Sequence, residues 1–109
     1  MGPSSSMMLD SSQVVMLLQV NTLGVSILAE SLRSAAFFIK NTNHLVDSNH
    51  YSRTWVYEYK SHMKDGRESL AFINGTGLEI MLDSFYLDFD AEKIRKGFFY
   101  IMRKDNHDA

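Results

Sequence analysis

The sequence predicts an α+β domain: an N-terminal apolar helix, a three-strand antiparallel meander and a C-terminal helix. Three observations predict it. Apolar residues recur at helical spacing through Val25, Leu28, Leu32, Ala35, Ala36 and Ile39. A run rich in Trp, Tyr and Val, Arg53 to Met63, leads into Asp65-Gly66, a strong two-residue hairpin signal because a type I′ turn needs positive φ at both central positions. Asp90, a good N-cap, precedes a second helical stripe of Ile94, Phe98, Ile101 and Met102.

The first helix belongs to the block 12–42. Leu23, Ile27 and Phe38 widen its apolar arc, so it expects cover on more than one side. Its start is ambiguous. Val14, Val15 and Val20 favour a strand over 14–20, whereas Met16, Leu17, Leu18 and Gln19 favour a helix, the preferred assignment. Ser11 to Ala29 is a 19-residue uncharged run, long enough to raise a membrane span. Gln13, Gln19, Asn21, Thr22 and Ser26 interrupt it, Glu30 and Arg33 follow, and no basic segment precedes it. Burial in a protein core is therefore expected, without a membrane partner. Asn41 to Ser52 is a polar connector.

The meander has a register. Asp65-Gly66 pairs Lys64 with Arg67, which sets Tyr59 opposite Phe72 and Glu58 opposite Ile73. A three-residue turn at Gly75-Thr76-Gly77 then gathers the large apolar side chains on one face: Trp55, Tyr57, Tyr59, Leu70, Phe72, Leu78, Ile80 and Leu82. The other face is mixed, with Val56, Ala71, Ile73 and Met81 side by side among Thr54, Glu58, Lys60, Glu79 and Asp83. Parity breaks at Asp83-Ser84, where a turn or bulge is expected. The closing segment, Ala91 to Lys104, is read as a helix; the alternative is a short helix followed by a fourth strand over 98–103.

Bulk properties bound the function. A chain of 109 residues is one small domain, placed at 9–109, with residues 1–8 expected as a disordered tail or expression remnant. Apolar content of 45% supports a core, and a net charge of −2 with mixed signs offers no basic stripe for nucleic acid. The absence of cysteine rules out disulfides and thiolate zinc sites, and a reducing, cytoplasmic location is the expectation.

Motifs for chemistry are sparse. His44, His50, His62 and His107 include no i, i+4 pair, so no metal site is assigned; loop His44 and His50 are kept only for a third reading, an enzyme or small-ligand binder. Glu58-Tyr59-Lys60 has the Glu-x-Lys form of a nuclease strand, but the preceding segment is a polar loop rather than an aspartate-bearing strand. Trp55, Tyr57 and Tyr59 on one strand face would suit base stacking if wet and flanked by cations; joined to Leu70 and Phe72 they are expected in the core. Asn74-Gly75-Thr76-Gly77 lacks the spacing of a phosphate loop. No catalytic residue, metal or cofactor is assigned.

The functional expectation is a non-enzymatic protein–protein interaction module or adaptor, acting as a homodimer or a subunit of a complex. Surplus apolar surface motivates it, and Val56, Ala71, Ile73 and Met81 are the expected interface. The alternative is a small inhibitor or immunity protein that binds a basic partner through an acidic edge of Asp83, Asp88, Asp90 and Glu92.

Overall fold

The computed structural model describes residues 8–42 and 51–108. Four helices are present, α1 (Ser11–Asn41), α2 (Arg53–Asn74), α3 (Gly77–Ser84) and α4 (Ala91–Asp108), and there is no strand among the described residues. The expected flanking helices are therefore present and the sheet between them is not. The chain is all-helical rather than α+β.

α1 begins at a capping box. The Asp10 side chain accepts from the Gln13 backbone N–H at 2.9 Å, and the Asp10 N–H donates to Gln13 Oε1 at 2.8 Å. The stretch 14–20 is helical throughout, which overturns the strand alternative there. At α4, Asp90 Oδ1 accepts from the N–H groups of Glu92 (2.9 Å) and Lys93 (3.3 Å). The helix runs unbroken past residue 103, so the fourth strand over 98–103 is absent as well.

The segment expected as a meander forms α2 and α3. Ser52 caps α2 by accepting from the Trp55 N–H at 3.1 Å. Asp65-Gly66, the expected hairpin turn, lies inside α2. Gly66 is buried there, and a Cβ built on it would stand 2.5 Å from the Ser34 carbonyl oxygen and 2.6 Å from Phe38 Cβ. The glycine serves a close helix–helix approach instead of a turn. Gly75-Thr76 is the break between α2 and α3: the Gly75 N–H donates to the Ala71 oxygen at 2.9 Å, and a Cβ on Gly77 would meet the Phe72 ring at 2.7 Å. The stripe Trp55, Tyr59, Met63, Gly66, Leu70, Ile73 advances by steps of three or four residues, and this helical period overrides the local β preference of Trp, Tyr and Val.

The return path along α1 can be followed contact by contact. Tyr59 Oη donates to the Asn41 oxygen at 3.2 Å. Gly66 meets Ser34 and Phe38. Ile73 packs in one buried cluster with Ala35, Phe98 and Met102, while Leu78, Met81 and Leu82 close on Leu28 in another. A Cβ on Gly24 would overlap Phe85, and Asn21 Nδ2 donates to the Phe85 and Tyr86 carbonyls at 2.8 and 3.2 Å. α2 and α3 thus run antiparallel to α1 and end level with Asn21. Tyr86, with φ of 56°, takes the left-handed conformation that turns the chain there. α4 then runs parallel to the second half of α1, from Ile94 beside the Leu28 cluster to an ion pair of Asp105 with Lys40 at 3.6 Å.

Two glycines with opposite surroundings test this packing. Gly66→Ala forces a methyl group against backbone at Ser34, and a net loss of about 1–3 kcal/mol is expected. Gly97 is exposed in α4 with nothing within 4 Å of its Cβ position. Gly97→Ala is expected to add about 0.8–1 kcal/mol through helix propensity. Urea midpoints of the two variants should therefore move in opposite directions.

Candidate functional site

The four residues expected as an interface do not share a surface. Ile73 is fully buried in α2 and Met81 is buried in α3, in different core clusters; Val56 is half-buried and Ala71 exposed on α2. Their proximity depended on a sheet register that the helices remove. The acidic edge is also divided. Asp90 caps α4, Glu92 holds Arg95, and Asp83 and Asp88 remain as exposed carboxylates.

Arg95 is a structural clasp. Its guanidinium, 16% exposed, donates from Nε to the Ile73 oxygen at 2.7 Å, from Nη2 to the Gly75 oxygen at 2.8 Å and from Nη1 to Glu92 at 2.6 Å, and it also pairs with Glu79. One side chain on α4 thereby satisfies carbonyls released by the α2–α3 break. The hydrogen bonds to Glu92 and then Glu79 raise its pKa further.

Of the aromatic residues of α2, Phe72 packs on the core, whereas the row that begins at Trp55 lies outside it. Tyr51, Trp55 and Tyr59 stack in series, with ring centroids 4.2 and 5.4 Å apart, and Trp55 and Tyr57 are exposed. Tyr59 reaches Phe37 edge-on, as does His62. Arg53, Tyr57, Lys60, Lys64 and Arg67, spaced four and three apart, form an exposed stripe on the outer side of α2. Four cations therefore lie in a row along one side of α2. A period of two hides it, because alternation distributes those cations over both faces. Among the described residues no three His, Asp or Glu side chains gather as a metal site requires. His44 and His50 lie outside the described residues.

The largest anomaly is at the other end of the molecule. Met8, Leu9, Val14, Val15, Met16, Leu18, Leu23 and Val25 are between 41 and 76% exposed. Six of them follow two lines on and just ahead of α1. Val14, Leu18, Asn21 and Val25 continue as Leu28, Leu32, Ala35 and Ile39, a ridge that residues of α2, α3 and α4 cover only in its second half. Leu9, Met16 and Leu23 form the other line. The polar positions between them need little water: Thr22 Oγ1 donates to the Leu18 carbonyl at 2.8 Å and Ser26 Oγ to the Thr22 carbonyl at 3.0 Å. α1 is long and apolar enough to cross a membrane, and 11% of its most apolar stretch is buried. The sequence pattern did show this arc as too wide; it did not show where cover would end.

No protein-family model, curated protein or solved structure matches the chain.

The start of α1 carries a testable charge. The Asp10 carboxyl is held below its ordinary value, chiefly by the backbone N–H of Gln13 and then by the Ser12 hydroxyl. A lowered folded pKa means the cap contributes fully above the ordinary carboxylate range and is lost as pH falls through the lowered value. In an NMR titration the Gln13 amide should hold its shift from neutral pH into the mildly acidic range and move only at lower pH. Asp10→Asn should keep the cap and abolish that transition.

Proposed function

We propose that the chain is a non-enzymatic interaction module whose contact surface is the uncovered N-terminal half of α1. The observation that carries this reading is the ridge that changes from covered to bare along one helix. Val14, Leu18 and Val25 keep the spacing of Leu28, Leu32, Ala35 and Ile39, yet they are exposed where the later four are buried or half-buried. An apolar patch of this kind on a folded domain marks a contact surface. Among the described residues, Asp10 and Arg95, whose titration is shifted, serve the fold as cap and clasp. The acidic-edge alternative is weaker, since Asp90 and Glu92 are already engaged.

A membrane span fits the geometry less well. Ahead of Asn21 the free part of α1 is ten residues, roughly 15 Å of helix, against a hydrocarbon thickness of about 30 Å. A full crossing would break the contacts of Gly24 with Phe85 and of Leu28 with Leu78. An interfacial helix would want Lys or Arg on its polar side, and Ser11 to Ala29 carries none.

Leu18→Glu separates contact from folding. Leu18 is 59% exposed, so the change should shift stability by no more than about 0.5 kcal/mol while abolishing association measured by sedimentation and by binding to co-purified partners. Ile73→Glu should instead unfold the domain, since Ile73 is fully buried. A wild-type protein that stays monomeric at high micromolar concentration, binds no protein through this face and partitions into liposomes would overturn the proposal.

A further inference from the structure

We infer that Asn74 is a site of spontaneous covalent modification, kept closed in the folded domain by the Arg95 clasp. When the last turn of α2 opens, the Asn74 carboxamide cyclises onto the Gly75 nitrogen and hydrolyses to aspartate or isoaspartate. The deprotonated Gly75 nitrogen attacks Asn74 Cγ and forms a C–N bond, and the carboxamide nitrogen takes up a proton and leaves as ammonia. Water then opens the succinimide at either carbonyl. Glycine after asparagine makes this reaction fast in an open chain, because no side chain shields or restrains the attacking nitrogen. Asn74-Gly75 is the only Asn-Gly pair in the sequence.

The fold exposes the carboxamide and withholds the nucleophile. Asn74 is the exposed last residue of α2, so water reaches it. The Gly75 N–H, by contrast, donates to the Ala71 oxygen at 2.9 Å and to the Phe72 oxygen at 3.3 Å. These bonds keep Asn74 in the final helical turn, and helical ψ turns the Gly75 nitrogen out of the plane in which a five-membered ring closes.

Arg95 holds the chain on both sides of the reacting peptide. Its Nε donates to the Ile73 oxygen at 2.7 Å and its Nη2 to the Gly75 oxygen at 2.8 Å. Rotation of Asn74 into the reactive conformation displaces these two carbonyls relative to each other, so the clasp must let go first. Glu79 and Glu92 pair with the same guanidinium, and Ile73 is fully buried. Cyclisation therefore waits on a local opening that breaks several contacts together. The product acts on the same place. Isoaspartate carries the main chain through the former Cβ and lengthens it between Ile73 and Leu78, which are fully buried in separate core clusters.

The test follows conversion at Asn74 in the full chain at mildly alkaline pH, by peptide mapping with mass spectrometry. Wild type unfolded in guanidinium chloride should convert fastest, folded Arg95→Gln more slowly and folded wild type slowest, each step several-fold. Unfolded Arg95→Gln should match unfolded wild type, which separates the clasp from any direct effect of the guanidinium on the chemistry. Asn74→Gln should give no product at this position, and the isoaspartate form should unfold at lower urea concentration than the unmodified protein. Circular dichroism reports whether each variant is folded. If Arg95→Gln is not, Glu79→Gln, which removes one partner of the guanidinium, should give a smaller acceleration in a folded domain. A folded wild type that converts as fast as the unfolded chain would overturn the protection. A folded clasp variant that converts at the wild-type rate would overturn the role of Arg95, and an unfolded chain that does not convert would overturn the site itself.

Discussion

The close approach of α2 to α1 at Gly66 sets the register on which the other contacts depend. A hydrogen in place of a side chain lets α2 come against the Ser34 carbonyl and Phe38. With that crossing in place, the returning arm follows α1 back toward its start: Ile73 joins the buried cluster of Ala35, Phe98 and Met102, Leu78 joins that of Leu28, and Phe85 lies against Gly24. The returning chain ends at Asn21, ten residues after α1 has begun. The uncovered apolar surface is thus a consequence of register and element length, and lengthening or shortening α3 by a turn would move its edge.

Two devices keep that register from slipping. Gly24, Gly66 and Gly77 each admit a neighbour that a methyl group would displace, so the three sites resist sliding of one helix past another. Arg95 acts at the break in the returning arm. The carbonyls of Ile73 and Gly75 lose helical partners where α2 gives way to α3, and a guanidinium on α4 supplies donors to both while Glu79 and Glu92 hold it in place. The angle between α2 and α3, and so the position of Leu78 and Leu82 over Leu28, is tied to α4 through one residue.

What was legible in the sequence divides along the same lines. The helix through Val25, Leu28, Leu32, Ala35 and Ile39 showed in its period, and Asp90 marked the start of α4, because caps and amphipathic stripes are local signals. The middle of the chain misled for a physical reason. Trp55, Val56, Tyr57 and Tyr59 favour strands, and Asp65-Gly66 favours a tight turn, but both preferences are worth about 1 kcal/mol or less per residue. Burying Ile73 and seating Gly66 on Ser34 outweigh them, and those contacts join residues far apart in the chain. The surplus of apolar surface was visible as the wide arc of the first helix. Its location was not, since it depends on where a partner arm of unknown length stops.

The bare half-helix has an energetic implication of its own. An isolated helix of about a dozen residues is marginal in water, and only Leu17, Val20 and Asn21 of that stretch are half-buried against the bundle. The capping box at Asp10 and Gln13 stabilises its first turn, and continuity with the packed part of α1 spares it the cost of nucleation. Fewer packed side chains hold the helix there than in residues 24–39, where the core lies against it. Covering Val14, Leu18 and Val25 would both bury apolar surface and quench fraying of the first turns. Association and helix formation at this end are therefore coupled: whatever stabilises the first turns pre-organises the contact surface, and whatever frays them weakens binding without touching the core. Asp10, far from any packed side chain, acquires an influence on association through the helix it starts.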